Sequence, residues 1–80
     1  MMARVTVLYF ASLRDAAGVA SENIEVADDL RSLYETLRAR HGFALPVERL
    51  RVAVDGAFAR WDDPVRDGAE IAFIPPVSGG

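Results

Sequence analysis

Apolar and polar side chains alternate along "RVTVLYF", Arg4 to Phe10, a run rich in β-branched and aromatic residues that predicts a strand. The alternation puts Val5, Val7 and Tyr9 on one face and Thr6, Leu8 and Phe10 on the other. "ASLRDAAG" has helix-forming composition and closes on Gly18, predicting one or two helical turns. "ENIEV", Glu22 to Val26, alternates again and suits a second strand paired with the first. The period then changes. Leu30, Leu33, Tyr34 and Leu37 stand at i, i+3, i+4 and i+7, the stripe of one long amphipathic helix. Asp28 or Asp29 can cap its start, Arg38, Arg40 and His41 complement the dipole at its end, and Gly42 is placed to terminate it. That role accounts for His41 without any catalytic duty.

Beyond a loop containing Pro46, "LRVAVDG" predicts a strand with Leu50, Val52 and Val54 pointing one way, followed by the hairpin turn Asp55-Gly56. A short strand, "AFARW", follows; "DDPVRDG" is turn-rich with Val65 as its single apolar anchor, and Glu70 to Ile74 forms the last strand. This order predicts an α+β domain, with one main helix across one face of a mixed sheet of four or five strands. The first and last strands, both strongly β-prone, are its expected central neighbours. Residues 1–80 are read as one domain, with 75–80 as a flexible C-terminal tail.

A sheet covered on one face leaves its second face to explain. Phe10 shares the side of Thr6, and Ile74 shares the side of Glu70. Phe10 and Ile74, joined by Phe58 from the short strand, are therefore expected to form an exposed apolar patch beside the root of the tail.

Composition sharpens this picture mainly by exclusion. An apolar fraction of 51% is high for 80 residues, which have too little interior to hide it all, so a partner surface is expected. With no cysteine there is no disulfide, thiolate metal site or cysteine nucleophile, and the cytoplasm is the expected compartment. A single histidine without a carboxylate cluster makes no metal site. The net charge of −3 argues against a nucleic-acid partner. All nine positive residues are arginine, so no side-chain amine can accept an isopeptide bond or form a Schiff base.

Arg4, "VTVLYFASL" and "AGVAS" imitate a secretion signal, but Thr6, Tyr9 and Ser12 interrupt the apolar run and cleavage near Ala20 would remove the best strand. No stretch is long enough to span a membrane. Ser12, Ser21, Ser32 and Ser78 lack an activating context, Asp62-Asp63 reads as a solvated turn, and no glycines form a phosphate loop. Nothing on the body reads as catalytic.

What remains is "IPPVSGG", Ile74 to Gly80. Pro75 and Pro76 favour an extended backbone, and six residues from Pro75 to Gly80 span up to roughly 20 Å, enough to enter a recessed site on another protein. Gly79 and Gly80 have no Cβ, so a narrow channel can close around them. Such a terminus suits activation of its carboxylate by ATP.

"FIPPVSGG", "VAVDG", "DPVRDGAEIAF" and "VLYFASLRDAAG" together resemble the small, sulfur-carrier subunits of molybdopterin synthases. The resemblance covers nearly the whole chain, is weakest between Gly42 and Val47, and implies a ubiquitin-like β-grasp fold. It also implies a cycle. An adenylating, ubiquitin-activating-like enzyme uses ATP and magnesium on the Gly80 carboxylate, and a sulfur donor protein converts it to a thiocarboxylate. The tail, Pro75, Pro76, Val77, Ser78 and Gly79, then enters the large catalytic subunit and delivers sulfur to cyclic pyranopterin monophosphate in molybdenum cofactor biosynthesis. By the same resemblance the partner-facing positions are Phe10, Arg14, Phe58 and Ile74, the chain binds no cofactor of its own, and it is no enzyme alone. A thiamine-type sulfur carrier, a ubiquitin-like protein modifier and a plain β-grasp binding module are the alternatives.

Overall fold

The structure, a computed structural model, describes residues 2–26 and 28–76. In chain order it contains β1 (Ala3–Tyr9), α1 (Ala11–Ala17), β2 (Ser21–Val26), α2 (Leu30–His41), a short 3-10 turn (Val47–Arg49), β3 (Arg51–Val54), β4 (Ala57–Ala59) and β5 (Glu70–Ile74). The five strands make one mixed sheet in the order β2-β1-β5-β3-β4. β1 and β5 run parallel, while every other pair is antiparallel. β1 and β5 are thus adjacent and interior, as their composition predicts.

The apolar stripe of α2 explains why this sheet holds together. Leu30, Leu33, Tyr34 and Leu37 are all buried, and they pack on Val5, Val7, Tyr9, Val52, Ile71 and Phe73 from the covered face of the sheet. Asp29, not Asp28, is the cap, accepting a hydrogen bond from the Ser32 amide at 2.9 Å. The first two amides of α2 are met from outside it: Leu30 N–H donates to the Asp63 carbonyl at 3.1 Å and Arg31 N–H to the Trp61 carbonyl at 3.0 Å. At the other end Gly42 takes φ 73° and its N–H donates to the Arg38 carbonyl at 2.8 Å, a left-handed closure that suits glycine.

Three sequence expectations shift in detail. β1 stops at Tyr9, and Phe10 caps α1 while keeping an extended backbone (φ −127°, ψ 150°). The sharp bend falls on Ala11 at φ 50°, a left-handed conformation that turns the chain off the sheet. β4 stops at Ala59 because a turn begins there, with the Asp63 amide donating to the Arg60 carbonyl at 3.0 Å. Trp61 is freed to turn back over the core, stacked on Phe73 at 5.8 Å between ring centroids and 8° between planes. Leu50 closes the 3-10 turn instead of opening β3, and it is buried there as its parity predicts.

His41 lies where α2 meets the β1–β2 pair. The Tyr9 hydroxyl donates to Glu22 Oε1 at 2.6 Å, and His41 Nε2 lies 2.9 Å from that same oxygen. The Tyr9 hydrogen bond is the largest reason that the Glu22 carboxyl is held below its ordinary value, with His41 and then Arg40 adding to it against the opposing effect of burial. A carboxyl depressed by folding contributes stability above its unfolded value of 4.5, and loses it as pH falls through the lower folded value. Glu22→Gln is therefore expected to cost about 1.5 kcal/mol near neutrality, a difference that shrinks as pH drops below 4.5. Urea midpoints of both proteins from neutral to acidic pH check this; a pH-independent gap would show that Glu22 acts by packing alone.

Candidate functional site

The strand register divides the open face of the sheet into two unlike halves. In the polar half the groups satisfy one another: Arg4 Nη2 pairs with Glu25 Oε1 at 2.7 Å, and the Thr6 hydroxyl donates to Asn23 Oδ1 at 3.0 Å. One step along the strands the chemistry changes. A single row crosses the sheet from Ser21 through Leu8, Ala72 and Ala53 to Phe58. Two alanines in mid-row make a low floor, and larger apolar side chains stand around it.

The result is an open groove of about 680 Å³. Leu8 and Phe10 line it from the β1 side, Phe58 from β4, and Ile74 from β5, over Ala53 and Ala72. Pro75 and Pro76 line its mouth, so the groove lies at the point where β5 hands the chain to its tail. Phe10 is 46% exposed and Phe58 68%, unusual values for phenylalanine, whereas Ile74 is only half-buried where full exposure was expected. The β3 neighbour of Ile74 is Arg51, whose guanidinium lies over the Phe58 ring at 5.4 Å from the centroid.

The sequence-predicted residues Phe10, Phe58 and Ile74 are thus brought together. Arg14 is exposed on α1 and is not part of the groove lining. Val77, Ser78, Gly79 and Gly80 lie outside the described residues. Sequence reasoning does not single out Leu8, Ala53 and Ala72 as site residues, although parity already places Leu8 on the side of Phe10. The small size of two cross-strand neighbours was the missed signal, and it requires knowing that β3 pairs with β5.

Among the described residues, no group of three His, Asp or Glu side chains gathers where a metal ion could be held. None of their helices is long and apolar enough to cross a membrane. The face offers apolar contact and backbone, which suits binding a protein surface.

A mixed β2-β1-β5-β3-β4 sheet grasping one main helix, with an apolar face at the root of the C-terminal strand, defines a protein of the ubiquitin-like β-grasp class. Comparison with known proteins refines the class. Residues 7–80 match the model of the ThiS family. The molybdopterin synthase sulfur carrier subunit of Escherichia coli (strain K12) is 37% identical over 83 residues, covering 95% of this chain and 99% of that protein. Among solved structures, the small archaeal modifier protein 1 from Methanosarcina acetivorans superposes with a TM-score of 0.81, covering 100% of this chain and 99% of that one at 23% identity, a likeness of fold. A complex of subunits 1 and 2 of the molybdopterin-converting factor from Helicobacter pylori gives a TM-score of 0.63 at 28% identity, covering 100% of both chains. The chain belongs to the ThiS family, alongside the molybdopterin synthase sulfur carrier subunits.

Proposed function

We propose that this chain is the sulfur-carrier subunit of a molybdopterin synthase, with the Gly80 carboxylate as its working group. The observation that carries the reading is the apolar groove formed by Phe10, Phe58 and Ile74 where the chain enters "PPVSGG". A docking face at the root of a slender tail suits a domain that delivers its own terminus into a partner. The name of the Escherichia coli relative and the two-subunit complex from Helicobacter pylori support the same reading.

The chemistry then follows from the properties of a carboxylate, which is a poor electrophile. A partner enzyme using ATP with magnesium transfers AMP: a Gly80 oxygen attacks the α-phosphorus of ATP and pyrophosphate leaves. A persulfide sulfur from a donor protein attacks the acyl carbon and AMP leaves. Reductive cleavage of the sulfur–sulfur bond by a thiol then leaves the thiocarboxylate on Gly80. Docked through Phe10, Phe58 and Ile74, with Arg14 at the side, the large subunit receives the tail from Pro75 to Gly79. The thiocarboxylate sulfur attacks a side-chain carbon of cyclic pyranopterin monophosphate as a carbon–oxygen bond there breaks and its oxygen leaves on phosphate or as water. A second water then cleaves the thioester, leaving sulfur on the pterin and the carboxylate on Gly80 for another round. This chain supplies the sulfur and the docking face, and it works in the cytoplasm without a catalytic side chain or cofactor of its own.

Intact mass after incubation with the cognate activating enzyme, ATP, magnesium and a sulfur donor tests this. The expected result is replacement of one terminal oxygen by sulfur, lost when Gly80 is removed. An unchanged mass beside a demonstrably active enzyme would return the chain to a simple binding module.

A further inference from the structure

The positive charge of this protein is distributed in a chemically selective way: nine arginines and no lysine. Arginine and lysine are equivalent as surface charges, but not as nucleophiles. The guanidinium stays protonated throughout the usable pH range, whereas an ammonium releases a reactive amine fraction. The difference matters most next to an activated acyl group.

The position where it matters most is Arg51. It is the cross-strand partner of Ile74, the last residue of β5, and so stands beside the root of the tail. Its guanidinium is held over the ring of Phe58, a groove residue, and it makes no ion pair among the described residues. A tail of six residues can extend up to roughly 20 Å, so its end can return to the neighbourhood of residue 51. Tethering over that span gives an effective concentration on the order of millimolar, far above that of a nucleophile on another molecule.

We propose that the lysine-free surface protects the activated terminus from capture by its own chain, and that Arg51 is the principal guarded position. This rests on Gly80 being the activated group. The step avoided is aminolysis: an amine nitrogen attacks the acyl carbon, the bond to the leaving AMP breaks, and the ammonium proton passes to solvent. The amide formed is a dead end, since it no longer accepts sulfur. The same composition prevents copies of the chain from linking to one another through side chains. Arg51 keeps the cation over Phe58 while withholding the nucleophile.

The test uses the full chain with its α-amine acetylated and a small-thiol thioester installed chemically at Gly80. The result is then independent of any activating enzyme and of whether the carrier reading holds. Wild type, Arg51→Lys and Arg31→Lys are followed by intact mass and peptide mapping at mildly alkaline pH. Arg31 is the control: it is exposed at the start of α2, whereas the far end of α2, at His41, is the one that meets Tyr9. Wild type is expected only to hydrolyse. Arg51→Lys is expected to form an amide between residues 51 and 80 about tenfold faster than Arg31→Lys forms any. Hydrolysis of Arg51→Lys at the wild-type rate without amide, or side-chain-linked products from wild type, would overturn the proposal. Circular dichroism confirms that each variant is folded.

Discussion

Gly80→Ala is expected to reduce sulfur delivery to the pterin precursor by about a hundredfold while leaving the unfolding midpoint unchanged. The first half follows from the absence of a Cβ: a channel closed around a glycine backbone has no room for a methyl group, and displacing the reacting atom by about 1 Å costs that order of rate. The second half follows from the position of the core, whose buried members among the described residues lie between Ala3 and Phe73. Measuring adenylation and transfer separately shows which partner reads the terminus. Wild-type turnover by the alanine variant would mean that the glycine is not confined, and that the terminus works in an open site.

The second large effect separates the two faces of β5 by a single residue step. Ile74→Asp is expected to weaken binding to the large subunit by about thirtyfold or more, equivalent to the ~2 kcal/mol of a central interface residue. It should change stability little, because Ile74 is half-buried at the groove rim, where the aspartate can reach water and face Arg51. Phe73→Ala should do the reverse. Phe73 is fully buried against Tyr34 and Trp61, and its truncation is expected to cost about 3–5 kcal/mol of stability. Paired measurements of binding and of chemical unfolding on the two variants check the assignment. Global unfolding of Ile74→Asp would place that side chain in the core and remove the groove from the docking role.

The resemblance of the "FIPPVSGG" terminus and the body motifs to sulfur-carrier subunits agrees with the family match over residues 7–80. The body adds its own support, since the parity of two strands already placed Phe10 and Ile74 on one face. The loop from Arg60 to Asp63 was less legible. The sequence pattern gives Arg60 and Trp61 to the short strand and makes "DDPVRDG" a turn-rich stretch anchored by Val65, yet this loop returns Trp61 to the core and lends two carbonyls to the start of α2. The two carbonyl contacts join residues about thirty positions apart, and no local period encodes them.

Local pattern determined which segments become strands and main helix, which faces they bury, and where that helix stops. Strand and helix periods, an Asx cap and left-handed glycines act within a few residues, so they can be read along the chain. Tertiary structure alone decided that Leu8, Ala72, Ala53 and Phe58 fall in one row, that two alanines there leave a groove, and that Arg51 stands beside Ile74. Register between distant strands is set by the sum of packing against α2, and only the assembled sheet contains that sum.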